Sequence, residues 1–281
     1  MPDSVLNDRA PMPDDFISTE PPHGGVQRLL ARFGGHAYDL HRHETYAVGA
    51  TLSGAQGFRY RGAGRVSARG QCMVLHPDEW HDGRAAAPDG FLYRMVYLDP
   101  DRVLAALGGR GPLPFVGEAV AEDAGLAALI DEFFATFPDP ADALAVDGFL
   151  ADCAGVLARR AGLATTDRAQ PLARMRRVKA LIDAEFDRTL GSEDLERESG
   201  LDRFETARRF RAFAGTSPHR YLVGRRLAAA HQRIARGEAL AEVAAGTGFA
   251  DQSHLTRAFK ARYGLTPGRF RALVAAADTR S

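Results

Sequence analysis

Two arginine-rich segments in the last third of the chain carry side chains suited to contacts with a nucleic acid. Arg208 and Arg211 in the first segment recur as Arg257 and Lys260 in the second, 49 residues further along. Guanidinium and ammonium groups bind phosphate oxygens, and arginine also pairs with guanine in the major groove of DNA. An internal repeat indicates one supersecondary unit that is built twice. The spacing therefore predicts contacts to double-stranded DNA from two copies of one unit.

The elements around these residues read as a helix, a tight turn and a second helix. Asp202 and Asp251 are suitable N-caps, because an aspartate side chain accepts hydrogen bonds from the first free amides of a helix. They predict helices over residues 203–214 and 252–263. In the first copy Gly200 precedes the cap, and glycine readily ends a helix in the left-handed conformation. Each copy is thus predicted to be a helix-turn-helix whose second helix carries the basic side chains.

A long helix is predicted between the two copies. Pro218 stands at its first position, where proline is tolerated, and the helix continues to about Arg236. At about 1.5 Å per residue this helix is roughly 28 Å long. That length suits two recognition helices about one DNA turn apart, roughly 34 Å.

The second copy also carries a specific motif. Residues 246–260 read GTGFADQSHLTRAFK, and Gly264-Leu265-Thr266-Pro267 follows. This run resembles the signature of the AraC/XylS transcription regulators, and the resemblance extends over roughly residues 178–273. It implies two helix-turn-helix units that enter successive major grooves of promoter or operator DNA, with RNA polymerase as a further partner. The predicted DNA-binding residues are Phe204, Ala207, Arg208, Arg211, Gln252, Ser253, His254, Thr256, Arg257 and Lys260.

The first copy departs from the family pattern. Family members usually carry a small alanine after the conserved leucine, whereas Glu196 follows Leu195 here. Ala207 also offers little hydrogen-bonding reach at a predicted base-contact position. We therefore expect the first unit to rely on Arg208 and on phosphate contacts, and we expect sequence discrimination to rest on residues 252–257.

Three histidines in the first half of the chain can ligate a metal or contact a ligand. His41 and His43 are two residues apart and so point to the same side of a strand, and His81 follows in a later segment. The pattern HxH followed by G-x6-P-x3-H is similar to the two motifs of a cupin barrel, which is the effector-sensing domain of AraC-type regulators. Neutral imidazole ligates Zn, Fe or Ni. The glutamate that usually follows the first motif is replaced, however, by Ala47 and Val48.

Three interpretations of these histidines remain open: a functional metal site, contacts to a small-molecule effector, and structural hydrogen bonds. We expect no cofactor, and if a metal is bound, the same three histidines would hold it. Arginine and aromatic side chains on the predicted strands are further candidates, and strand alternation lets only one of Tyr60 and its arginine neighbours face inward. The predicted effector-binding residues are His41, His43, His81, Arg59, Tyr60 and Arg94.

The elements before the repeat change from strands to helices along the chain. Short apolar runs broken by glycine extend from about Val26 to Leu98 and predict an antiparallel barrel or sandwich. Two of them, Tyr46–Leu52 and Gly57–Tyr60, are predicted as separate strands with a turn at Ser53-Gly54. Helices with apolar stripes are predicted over 122–137 and 141–161. These stripes either cover the flank of the barrel or pair with a second copy of the chain as a homodimer. The predicted fold class is multidomain α and β: a cupin-like antiparallel β-barrel with flanking helices, then an all-α tandem helix-turn-helix domain.

Charge is divided between the two parts of the chain. Residues 171–281 hold 21 Arg and Lys against 13 Asp and Glu, whereas the remaining residues hold 15 against 23. This division favours a polyanionic partner for the C-terminal part alone. The predicted boundaries are a flexible tail over 1–21, a sensing domain over 22–162, a linker over 163–173 and a DNA-binding domain over 174–276.

The sequence gives no sign of a membrane or secreted protein. No apolar run approaches the roughly 20 residues that span a bilayer, and no signal pattern of a basic and then an apolar stretch is present. Two cysteines provide neither a disulfide framework nor a zinc-binding spacing. We therefore expect a cytoplasmic protein without membrane contacts.

Two functions are compatible with these features. The first is ligand-responsive, sequence-specific transcription regulation, with activation as the expected direction, in which an effector shifts the arrangement of the DNA-binding domains. The alternative is a metal-dependent cupin enzyme fused to a DNA-binding domain, with the three histidines on the metal. The missing glutamate and the lack of another acid–base constellation argue against the enzyme. We therefore expect no enzymatic activity and no catalytic residues.

Overall fold

The computed structural model describes residues 15–109, 111–163 and 172–278. The predicted tail and the predicted linker lie largely outside these residues. The chain forms two compact units. The described part of the first takes in residues 15–19, 28–97 and 118–127, and that of the second takes in 20–27, 98–109, 111–117, 128–163 and 172–278. The second unit thus contains the helix-turn-helix segments together with most of the helices that precede them.

A nine-stranded antiparallel sheet makes up almost all of the first unit. The strands are β1 (Phe16–Thr19), β2 (Val26–Phe33), β3 (His36–His41), β4 (Tyr46–Tyr60), β5 (Ala63–Ala68), β6 (Gln71–Leu75), β7 (His81–Ala85), β8 (Phe91–Leu98) and β9 (Val120–Glu122). Their order in the sheet is β1-β2-β8-β4-β6-β9, while β3 pairs with β7, and β5 and β7 pair with β4. This sheet confirms the predicted antiparallel β-domain.

The long strand β4 serves two parts of this sheet. Residues 47–50 pair with β6, whereas residues 55–60 contain the pairings with β5 and β7. Gly54 lies between these stretches with a φ of 68°, and a Cβ added there would lie 1.9 Å from the carbonyl oxygen of Gly90. The two short strands that the sequence predicts at 46–52 and 57–60 are therefore a single strand that bends at a glycine.

Helices make up most of the second unit, and α2 begins in the first. The predicted helices over 122–137 and 141–161 are present but shorter, as α2 and α3. None of the helices within the described ranges is long and apolar enough to cross a membrane. The helices are α1 (Pro100–Ala106), α2 (Ala124–Phe133), α3 (Ala143–Arg160), α4 (Leu172–Ala184), α5 (Ser192–Ser199), α6 (Arg203–Ala214), α7 (Pro218–Ala235), α8 (Leu240–Ala245), α9 (Gln252–Tyr263) and α10 (Pro267–Asp278).

Helix α3 packs among the helices of the DNA-binding segment. It contacts α1, α5, α6 and α7, and most of its residues are buried. Leu144 of α3 shares one apolar core with Met175, Leu195 and Phe210, which belong to α4, α5 and α6. The apolar stripe predicted for α3 is therefore used within the second unit. The predicted domain boundaries divide α3 from α4, and they remain predictions.

The two copies of the repeat have the same local structure. Helices α6 and α9 begin and end at the predicted residues. The Asp202 carboxylate accepts from the amides of the second and third residues of α6 at 3.0 and 2.9 Å, and that of Asp251 accepts from the third residue of α9 at 2.7 Å. Both helices end at glycines, Gly215 and Gly264, with φ of 73° and 76°. The predicted tandem unit is thus confirmed.

Candidate DNA-contact helices and effector cavity

Helix α9 presents a polar face opposite its apolar one. Leu255 and Phe259 are fully buried against α7 and α8, in the core of the second helix-turn-helix. Gln252, Ser253 and Lys260 are exposed. Their amide, hydroxyl and ammonium groups are therefore available to a ligand alongside the helix.

Two other predicted contact residues of α9 are bonded or packed within the helix-turn-helix. The Thr256 hydroxyl donates to the carbonyl oxygen of Gln252 at 2.8 Å. His254 is half-buried with its ring edge-on to Phe249, the centroids lying 5.2 Å apart. Burial lowers the pKa of His254, so its imidazole is neutral at pH 7.

Helix α6 is arranged differently, because α1 and α3 cover its face. Phe204 and Ala207 are each 5% exposed. A DNA-contact residue of the free helix should lie on its outer face, and for Phe204 this expectation is wrong: the Arg102 guanidinium of α1 lies over its ring, 5.4 Å from the centroid. Sequence periodicity could not show this, because the covering helix lies about a hundred residues earlier in the chain.

Three predicted DNA-contact arginines have oxygen partners in the segment from α1 to α3. Arg208 donates to the carbonyl oxygen of Ala106, and Arg211 pairs with the Asp152 carboxylate. Arg257 of α9 pairs with Asp139 in the connection before α3. Burial raises the pKa of Asp152 to about 6, although the charge of Arg211 opposes the shift. The sequence analysis did not predict the carboxylate partners of Arg211 and Arg257.

Glu196, the departure from the family pattern, holds the turn between α5 and α6. Its Oε1 accepts from the backbone amide of Arg203 at 2.7 Å and lies 3.4 Å from the guanidinium Nε of the same residue. The carboxylate therefore meets the free amides and the positive end of the helix dipole at the start of α6. An acidic residue seven positions before the first residue of a helix carries no local signal for this role.

The sheet of the first unit holds a partly open cavity of about 40 Å³ that the three histidines help to line. The ring centroids of His41 and His81 lie 4.3 Å apart, and those of His43 and His81 lie 4.9 Å apart. The structure thus brings together the three side chains that the sequence predicts. Within residues 15–109, 111–163 and 172–278, no group of three or more His, Cys, Asp or Glu is placed to hold a metal ion.

Hydrogen bonds fix the tautomers of these histidines. The Nδ1 atoms of His41, His43 and His81 lie 2.8–2.9 Å from the carbonyl oxygens of Asp39, Thr45 and Glu79, respectively. A carbonyl oxygen only accepts, so each Nδ1 carries a hydrogen and each neutral ring keeps its lone pair on Nε2. Burial lowers the pKa of His43, and it lowers that of His81 to about 4. The cavity therefore offers hydrogen-bond acceptors near pH 7.

The other predicted effector residues do not line the cavity. Arg59 is exposed, and Tyr60 is buried beyond Phe58 in the same apolar core, where its hydroxyl accepts from the amide of His76 at 3.0 Å. Arg94 alternates with Tyr93 and Met95, which do line the cavity, and so points away. Strand alternation along β8 was the signal that would have selected Tyr93 instead.

Two family models match the chain. An AraC-like ligand binding domain matches residues 23–153, and a helix-turn-helix domain matches residues 195–273. The first range contains eight of the nine strands and the cavity, and the second contains α6 and α9. The chain thus has an AraC-like ligand binding domain followed by a helix-turn-helix domain.

Individual relatives are similar to this chain over short stretches. The transcriptional activator RhrA of Rhizobium meliloti is 46% identical over 66 residues, covering 22% of this chain and 21% of that protein. The HTH-type transcriptional regulator ExsA of Pseudomonas aeruginosa is 32% identical over 79 residues, covering 28% of each chain. The chain therefore matches less than a third of the length of these relatives.

Among solved structures, an apo form of ToxT from Vibrio cholerae is similar over 91% of this chain and 100% of its own, with a TM-score of 0.40 and 12% identity.

The AraC-like ligand binding model ends at Cys153, within α3. Ala106, Asp139 and Asp152, which hold the arginines of α6 and α9, therefore lie in the segment that the ligand-binding family shares.

Proposed function

We propose that this chain is a ligand-responsive regulator of transcription that binds specific DNA sequences. The observation that carries the proposal is the pair of recognition helices, α6 and α9, with the same length, the same aspartate caps and the same glycine ends. The match to a helix-turn-helix domain over residues 195–273 supports it. The relatives named above as a transcriptional activator and a transcriptional regulator support it as well.

DNA reading in this proposal rests mainly on α9. Gln252 and Arg257 have the side chains that pair bidentately with adenine and guanine. Ser253, Thr256 and Lys260 suit phosphate oxygens. His254, although half-buried against Phe249, adds a contact near the start of the helix in this proposal.

Helix α6 contributes less to base reading in this proposal. Arg208 and Arg211 are its proposed basic contacts, and their guanidinium groups suit phosphate oxygens. Phe204 and Ala207 are buried in the described structure, so they reach DNA only when α1 and α3 leave this face.

The effector site of the proposal is the histidine cavity. Three Nε2 acceptors and the hydroxyls of Tyr38 and Tyr93, which are 3.0 Å apart, line it. These groups favour a small neutral molecule with hydroxyl or amine donors over a carboxylate. The alternative of a metal-dependent cupin enzyme finds no support in the families or relatives that match, and we propose that the chain has no catalytic role.

The partners and the location of such a regulator follow from the family resemblance. We propose that it acts as an activator through RNA polymerase in the cytoplasm, and that it works as a homodimer. Helix α3 supplies no free apolar stripe for dimerisation, since most of it is buried within the chain. Light scattering during size-exclusion chromatography will decide between a monomer and a dimer.

The test of specific DNA binding is a selection of duplexes from a random pool with the full-length chain, followed by titration of the enriched sequence. We expect Arg257→Ala to cost about 1–3 kcal/mol of binding free energy and to relax the preference at one base pair. The matched control is Arg262→Ala, which removes the same charge from an exposed position of the same helix. No enrichment of any sequence would contradict the proposed function, and an equal loss on all duplexes would make Arg257 a phosphate contact.

A further inference from the structure

We propose that the described structure is a DNA-closed form. In it, carbonyl and carboxylate oxygens of the segment from α1 to α3 contact the arginines that would otherwise bind DNA. The inference rests on the proposed DNA-binding function and adds a means of regulating it. Both recognition helices and all the groups that hold them belong to the same compact unit.

The first step is the competition for guanidinium groups. Arg211 of α6 pairs with Asp152, and Arg257 of α9 pairs with Asp139. A phosphate and a carboxylate present equivalent acceptor oxygens to an arginine, and both favour the same planar donors. A guanidinium that is committed to a carboxylate in this way must leave it before it can hold a phosphate. One pair on each recognition helix is thus closed to DNA.

The second step is the covering of the α6 face. Phe204 and Ala207 lie against neighbouring helices, and Arg208 donates to the last carbonyl of α1. Behind them the Asp147 carboxylate of α3, which is 4% exposed, accepts from Arg102 of α1 at 2.9 Å and from Arg203 of α6 at 3.3 Å. This ionic centre ties α1, α3 and α6 together. A major groove about 12 Å wide cannot receive a helix that carries two others on its contact face.

The third step concerns what reverses the closed form. Ion pairs that keep a third of their surface exposed are individually weak, and the pair of Arg257 with Asp139 is of that kind, with side chains 34% and 37% exposed. A modest preference of an effector for one arrangement is therefore enough to change the balance. The groups that hold the arginines lie within the range matched by the ligand-binding family, residues 23–153.

The experiment compares full-length proteins on one duplex, a fluorescent 40-base-pair DNA, by anisotropy at fixed salt. Asp139→Asn with Asp152→Asn removes two carboxylates from recognition-helix arginines. The matched control, Glu185→Gln with Glu238→Gln, removes two carboxylates from pairs with Arg188 and Arg233, outside the proposed DNA contacts. We expect the aspartate variant to bind about three- to tenfold more tightly than the control. Equal affinity of the two variants would overturn the closed form.

A second measurement needs no substitution and so does not depend on the folding of a variant. Saturating DNA should make the α3 amides of the wild-type chain exchange hydrogen about twofold faster or more, because α6 leaves α3 on binding. Unchanged or slower exchange in α3 with DNA bound would overturn the closed form and leave the proposed function intact. Failure of the wild type and of both variants to bind any duplex would overturn the proposed function, and the closed form with it.

Discussion

The residue that most clearly shows the effect of its surroundings is His81. Its imidazole lies beside those of His41 and His43, with its Nδ1 bonded to a backbone carbonyl. Burial is the main reason why its pKa falls to about 4, and the neighbouring imidazoles lower it further. An unfolded histidine has a pKa of about 6.5. Between about pH 6.5 and pH 4, His81 is therefore protonated in the unfolded chain but neutral in the folded chain.

Stability of the first unit should consequently fall as the pH falls from about 6.5 to 4. Below about pH 6.5 the unfolded state binds a proton that the folded state does not, so the free energy of unfolding decreases by about 2 kcal/mol between pH 7 and pH 5. Denaturation followed by the fluorescence of Trp80, the single tryptophan, measures this change. His81→Gln should flatten the pH dependence of stability, whereas His36→Gln, at an exposed position, should leave that dependence unchanged. An equally steep loss in His81→Gln would assign the effect to other groups.

The role of a residue could be predicted from the sequence only where a short motif around that residue indicates it. His41, His43 and His81 were selected because two short motifs contain them, and the structure brings them together. Tyr93 was missed because only the alternation of β8, known once its pairing is known, turns it toward the cavity. Asp152 was missed for a different reason: its pair with Arg211 joins residues 59 positions apart, and no local pattern encodes such a contact.

At the scale of a single element, the N-cap aspartates stabilise the first turns of the recognition helices. Asp251 accepts a hydrogen bond from the amide of His254 and so satisfies one of the free amides at the start of α9. Asp251→Ala should therefore lower the free energy of unfolding by about 1 kcal/mol, measured by urea denaturation followed by circular dichroism. Asp251→Asn keeps the acceptor oxygen and should retain most of the stability. If asparagine cost as much as alanine, the charge rather than the hydrogen bond would be the stabilising feature.

Elements with local start and stop signals were predicted to the residue, while those defined by pairing were not. Helices α6 and α9 follow aspartate caps and end at glycines, and each of these features is visible in the sequence. Strand β4 was predicted as two strands, because Ser53-Gly54 is typical of a turn. In the structure Gly54 bends the strand without ending it, since the pairing partners on both sides lie elsewhere in the chain.

At the scale of the whole molecule, the division of charge in the sequence matches the ion pairs in the second unit. The acidic part supplies Glu132, Asp139, Asp147 and Asp152, and the basic part supplies the arginines that they contact. The basic segment is thus partly neutralised by its own chain. Because DNA competes for the same charges, removal of the acidic part should affect binding and folding in opposite directions.

A fragment of residues 172–281 should therefore bind a mixed-sequence duplex more tightly than the full-length chain, by about three- to tenfold at equal salt. It should also melt at a lower temperature, because Met175 and Phe210 lose the packing of Leu144. The matched comparison is residues 134–281, which keeps Asp139, α3 and Asp152 and should bind with intermediate affinity. Circular dichroism establishes that each fragment is helical before titration. A folded 172–281 fragment that fails to bind DNA, while 134–281 binds, would show that α3 supports DNA binding rather than opposing it.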